Sequence, residues 1–160
     1  MVATPEGALY MIDTCSFTEL RRVYPRKNFP PVWELIEDLV VQGRFLSVDD
    51  VFLELDAQDD EVAAWARAHR DVFLPLTEEI QQKAREILRS HQTLVDLKKR
   101  KSSADPFLIA AVLLRGATVV TQEKRSGGPP AVKIPDVCAT YEARCIPLLM
   151  MLQAENLGAS

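Results

Sequence analysis

Apolar positions along this chain fall into short continuous runs that alternate with stretches of helical spacing. Ala8-Leu9-Tyr10-Met11-Ile12 is one such run, the pattern of a strand covered on both faces. A helix is predicted from about Ser16 to Tyr24, opened by Ser16-Phe17-Thr18-Glu19, whose spacing reads as a capping box with Ser16 as the cap. Pro25 and Pro30-Pro31 then break the chain. Val32, Leu35, Ile36, Leu39 and Val40 repeat at helical spacing until Gly43 supplies the stop. Arg44-Phe45-Leu46 is a short strand. Ser47 is predicted to cap a helix carrying Val51, Glu54 and Leu55, and Asp59 to cap one carrying Val62, Trp65 and Ala66. Thr77 opens a further helix through Ile80, Ala84, Ile87 and Leu88.

From Gln92 to Ser102 the pattern turns polar, a loop or a frayed helix end. Ser103-Ala104-Asp105-Pro106 begins a strongly apolar helix that stops at Arg115-Gly116, and Ala117 to Thr121 is the next buried strand. Ser126 to Pro130 reads as a loop, Asp136 as the cap of a short helix, Arg144-Cys145-Ile146 as a strand and Pro147 as the start of the last helix. This alternation predicts an α/β fold, a mainly parallel sheet wrapped by helices with right-handed crossovers. No repeat or linker divides residues 1–160, so a single domain is expected.

Composition narrows the class. With 48% apolar and 26% charged residues in 160, the chain is long enough to bury a core without disulfides. Cys15, Cys138 and Cys145 are odd in number and form no CxxC pair, which points to a reducing compartment. His69 and His91 stand far from any cysteine, so a zinc site is not expected. The opening MVATPEGA lacks the basic start and apolar stretch of a signal peptide, and Phe107 to Leu114 is about a third of a membrane span. A cytoplasmic protein without membrane contact is predicted. The net charge of −4 argues against a surface given over to nucleic acid, while leaving room for local basic patches.

Acids at strand ends carry the candidate chemistry. Asp13 closes the first predicted strand, where open α/β sheets bind ligands, and with Ser16 as cap it is not needed for the helix. Glu54 follows the second strand, Asp105 opens the helix before the late strand, and Glu123 follows that strand directly. In a parallel sheet these positions share one edge. Two carboxylates about 5 Å apart repel by roughly 3 kcal/mol at an effective dielectric near 20, so a cluster of them calls for a cation or retained protons. Oxygen ligands without His or Cys favour Mg²⁺ or Mn²⁺, which activate water and neutralise charge on a phosphodiester. Arg21, Arg22, Arg26 and Lys27 follow the first acid, Lys98, Lys99, Arg100 and Lys101 precede Asp105, and Lys124 and Arg125 follow Glu123, as a phosphate backbone would require.

The ordered set IDTCS, VFLEL, SADPFLIA and GATVVTQEK, with KIPDVC beyond it, resembles the PIN domain, in particular a prokaryotic PIN-like branch, over nearly the whole chain. The resemblance implies a Rossmann-like three-layer α/β/α sandwich and a ribonuclease dependent on Mg²⁺ or Mn²⁺. It makes Asp13, Glu54 and Asp105 the metal-binding acids and Thr14 and Thr121 their hydroxyl neighbours. The family's usual fourth acid is an aspartate soon after the late strand; the matching region here offers Glu123, with Asp136 further on. Many such domains are toxins, which implies RNA as substrate and an antitoxin protein and a second copy of the chain as partners. Two other readings compete. A phosphotransfer site would want an acid where Cys15 stands, or a paired acid near Asp13. A module that binds RNA or protein without cutting accommodates the net acidity and the displaced fourth acid.

Overall fold

The computed structural model describes residues 7–90, 105–125 and 133–155. Five parallel strands form one sheet in the order β3-β2-β1-β4-β5, flanked by eight helices among the described residues, a three-layer α/β/α sandwich. The strands are β1 (Tyr10–Ile12), β2 (Phe45–Val48), β3 (Phe73–Leu74), β4 (Thr118–Val120) and β5 (Cys145–Ile146). The helices are α1 (Thr14–Val23), α2 (Pro30–Val41), α3 (Asp49–Asp56), α4 (Glu61–Ala68), α5 (Glu78–Ser90), α6 (Asp105–Arg115), α7 (Ile134–Thr140) and α8 (Leu148–Ala154).

The first strand is the central one. Tyr10 pairs with Phe45 on one side and Thr118 on the other, and all three β1 side chains are fully buried, as the unbroken apolar run requires. Phe17 of α1 packs against Phe45, Phe73 and Trp65 at ring centroid separations of 5.8–5.9 Å, so aromatic side chains join α1 and α4 to β2 and β3. Ile80, Ala84 and Ile87 of α5 and Leu108, Ile109 and Val112 of α6 supply aliphatic parts of the same core.

Three helices reach their following strands through one kind of turn. After α2, Gly43 stands at φ +72° while the Arg44 amide donates to Leu39 and the Gly43 amide to Val40, which satisfies two of the helix's last carbonyls. Gly116 repeats this after α6, with Ala117 donating to Val112. After α7 the same position holds Glu142, at φ 55°, with Ala143 donating to Cys138.

Several helix starts differ from the sequence reading, and at Ser16 and Ser47 the reason is that a neighbouring strand takes the hydroxyl expected to cap. Asp13, not Ser16, caps α1: its Oδ1 accepts from the Ser16 amide at 2.8 Å, and the Ser16 hydroxyl donates instead to the Val120 carbonyl of β4. Glu19 accepts from Gln122 and closes no capping box. Ser47 lies inside β2, its hydroxyl donating to the Ile12 carbonyl, so α3 begins after Val48 without a side-chain cap. Asp60 caps α4, while Asp59 takes a left-handed turn at φ 49°. Asp136 sits one turn inside α7, where its carboxylate accepts from the Lys133 amide at 2.9 Å. Strand β3 has no counterpart in the predicted elements. The predicted loops at 92–102 and 126–130 lie outside the described residues.

Candidate functional site

The strand order reverses beside β1, whose neighbours β2 and β4 continue to opposite edges of the sheet. The crevice outside such a point, at the carboxyl ends of the strands, is where open α/β sheets place ligands. Asp13 occupies it, one residue past β1 and 3% exposed. Its Oδ2 accepts from the Cys15 thiol at 2.9 Å, its Oδ1 from the Ser16 amide, and the Thr121 hydroxyl also bonds to it. These partners are all uncharged. Burial is the largest influence on Asp13 and raises its pKa despite the hydrogen bonds.

Cys15 completes the knot behind this carboxylate. Its sulfur lies 3.6 Å from the Thr121 hydroxyl and accepts from the Gln122 amide at 3.3 Å. Burial, followed by the adjacent Asp13 charge, pushes the Cys15 thiol well above its ordinary range, which keeps it a proton donor. Thr121 is buried and accepts from the Glu123 amide at 3.1 Å, so β4 delivers Thr121 and Glu123 to the same edge.

On the other side of Asp13, Thr14 is the first helical residue of α1 and donates its hydroxyl to Glu54 Oε1 at 2.5 Å. Glu54 therefore stands at the carboxyl edge, held from α3 across to α1. Asp50, one helical turn before it, has its pKa raised by burial and then by the Glu54 and Asp49 charges. Asp105 is the first described residue of α6 and is 7% exposed; α6 packs on β1 and β2 and leads into β4, so its start belongs to the carboxyl edge as well.

Asp13, Thr14, Glu54 and Thr121 are thus linked by contact, with Asp105 and the backbone of Glu123 on the same edge. No group of three or more His, Cys, Asp or Glu side chains among the described residues is close enough to hold one metal ion. The Glu123 charge is felt at α7, where contact with Cys145, burial and, least, that charge push the Cys138 thiol far up. Asp136 pairs with Arg125 at 3.7 Å and with the Lys133 amide, contacts that hold it on α7. Lys98, Lys99, Arg100 and Lys101 lie outside the described residues, whereas Lys124 is exposed beside a cavity of about 890 Å³ at the ends of β4 and β5.

Three contributors escaped the sequence reading. Cys15 was legible only as an unpaired cysteine, although its position two residues past Asp13 lets the thiol turn back to it. Asp50 was marked by its four-residue spacing from Glu54 on one helix face. Gln122 bridges α1 and α8, donating to Glu19 at 3.1 Å and accepting from the Leu148 amide at 2.8 Å; no local pattern marks it.

No helix among the described residues is long and apolar enough to cross a membrane. No curated protein matches the chain. Residues 10–158 match the family model described as a domain of unknown function, DUF4411. That match runs from β1 past α8 and includes every acid of the carboxyl edge, and the chain belongs to the DUF4411 family.

Proposed function

We propose that the protein is a metal-dependent endoribonuclease whose site is the acidic carboxyl edge around Asp13. The observation that carries this reading is the placement of Asp13: a buried carboxylate with only uncharged partners, at the point where the strand order reverses. A buried charge of this kind is costly unless a cation offsets it. The donor chemistry suits a hard ion, since Asp13, Glu54 and Asp105 offer carboxylate oxygens and the nearby Cys15 stays protonated, but the three carboxylates do not converge on one point, so an ion would have to draw them together on binding.

Mg²⁺ or Mn²⁺ held by Asp13 and Asp105, with Glu54 completing its shell, would supply an activated water and neutralise charge developing on the phosphodiester. The chain's own groups prepare the edge. The Cys15 and Thr121 donors fix the Asp13 carboxylate, and Thr14 fixes Glu54. Lys124 and Arg125, both exposed past β4 with Arg125 3.7 Å from Asp136, would hold the phosphate backbone of the substrate. Likeness to the PIN domain supports RNA as the substrate and extends the reading to a toxin governed by an antitoxin protein.

The test is cleavage of mixed single-stranded RNAs with Mn²⁺ and with chelator, comparing the natural chain with Asp13→Asn. Metal-dependent cleavage lost in the variant is expected; cleavage by neither protein, or by both equally, refutes the assignment. A second reading, a module that binds RNA or protein without cutting, is favoured by the use of Asp13 as the α1 cap, a purely structural duty. It predicts RNA binding unaffected by chelator and no cleavage.

A further inference from the structure

The cavity of about 890 Å³ beside Thr121 adjoins the acidic edge. Thr121 bonds to Asp13 and also lines the cavity, so the two spaces share a wall. Its size falls within the roughly 300–1,000 Å³ typical of small-molecule sites. Ile146, Pro147 and Met150 give it apolar walls, and Glu123 and Glu142 add carboxylate acceptors. Lys124 and Arg125 on its lining are exposed, whereas the Arg144 guanidinium is held to Thr118 and Gly116 along β4.

We propose that this cavity seats one nucleoside of the RNA strand next to the scissile phosphate, base against the apolar walls and phosphate at Lys124 and Arg125. The proposal rests on the ribonuclease reading. Charge complementarity selects the occupant: the exposed cations of the lining suit a phosphate, and its apolar side chains suit the unstacked base of a single strand. The carboxylates favour bases that carry exocyclic amino groups, so adenine, cytosine and guanine should be preferred to uracil.

The test measures equilibrium binding of the four nucleoside 5′-monophosphates, ribose 5-phosphate and inorganic phosphate to the full chain in excess chelator. The adenosine, cytidine and guanosine monophosphates should bind at least tenfold tighter than ribose 5-phosphate, with uridine monophosphate weakest of the four. Ala139→Trp, an exposed position on the cavity lining, should erase that base contribution with the melting temperature unchanged; if it unfolds the chain, Ala139→Leu takes its place. Lys124→Ser with Arg125→Ser should weaken every phosphate compound alike and preserve the ranking. Monophosphates that bind no tighter than ribose 5-phosphate, or a base preference that survives a filled cavity, overturn the proposal. Because chelator is present throughout, failure of metal-dependent cleavage leaves this result intact, and cleavage without nucleotide binding refutes the cavity alone.

Discussion

Asp13→Asn separates the two duties of the central acid, because it removes the charge and keeps the cap. Asparagine accepts the Ser16 amide about as well as aspartate does. The new amide group would face the Cys15 sulfur and the Thr121 hydroxyl oxygen, both able to accept. Hydrogen bonds to a charged group contribute about 1.5–3 kcal/mol each, against an effective cost of several kcal/mol for taking the ion out of water. Burial wins at Asp13, since its pKa lies above the ordinary 3.8. A gain of roughly 1–2 kcal/mol is therefore expected for the variant at pH 7. For a chain of this size each kcal/mol moves the melting temperature by about 2–4 °C, so a rise of about 2–8 °C should be measured in chelator.

The pH dependence gives the sharper check. A carboxyl that holds its proton more tightly when folded is destabilising above its raised pKa, and the penalty shrinks as pH falls through that value. It vanishes below 3.8, where the unfolded chain is protonated as well. The melting advantage of Asp13→Asn should follow that course, larger at neutral than at acid pH and gone below 3.8. A variant that melts below the natural chain at pH 7, or an advantage constant across pH, would refute the account of Asp13 as an undercompensated buried charge.

Three further outcomes follow from other contacts. Glu142→Gly relieves a left-handed backbone position at the end of α7, where strain of about 1–3 kcal/mol outweighs the roughly 0.5–1 kcal/mol of extra chain entropy, so thermal melting should show a net gain near 1 kcal/mol. Gln122→Glu keeps the acceptor for the Leu148 amide but sets a carboxylate against Glu19, and urea denaturation should show a loss of about 1–3 kcal/mol that Glu19→Gln in the same chain restores. Glu155 is raised by burial, but hydrogen bonds from Arg44 and Tyr10 bring it below its ordinary 4.5, so it stabilises the fold above that pH and the benefit is lost as pH falls through the depressed value. Glu155→Gln should accordingly cost about 1–2 kcal/mol at pH 7 and converge on the natural chain's stability in strong acid; equal melting at pH 7 would dismiss the trio.

What the residue pattern conveyed well was anything decided by burial on both sides. The runs ending in Ile12 and Val120 could be placed without knowing their neighbours, because a strand covered on two faces must be apolar throughout. The expectation of a carboxylate at the end of the first strand came from the same logic. Caps were another matter. Between Asp13 and Ser16, and between Asp59 and Asp60, local chemistry is nearly degenerate, and the choice at Ser16 is made by a carbonyl 104 residues away in β4. Strand β3 was missed because two residues carry too little periodicity; its place comes from pairing Ser47 with Phe73 and Val48 with Leu74. The partners of Asp13 and the cavity wall at Thr121 likewise depend on β4 lying against β1, a long-range fact that single-residue spacing does not encode.

The central position of β1 has a consequence for how the chain must be made. Synthesis delivers residues 10–12 first, and β2 at 45–48 can cover one flank soon after, but β4 at 118–120 supplies the other. At about 5–20 residues per second, a growing chain carries that half of β1 without its partner for roughly 5–20 seconds. Tyr10 waits longer still for Glu155, 145 positions downstream. Nascent or truncated chains that stop before β4 therefore present an open, wholly apolar strand edge, the kind of surface that holding chaperones bind and that joins chains together when none are at hand.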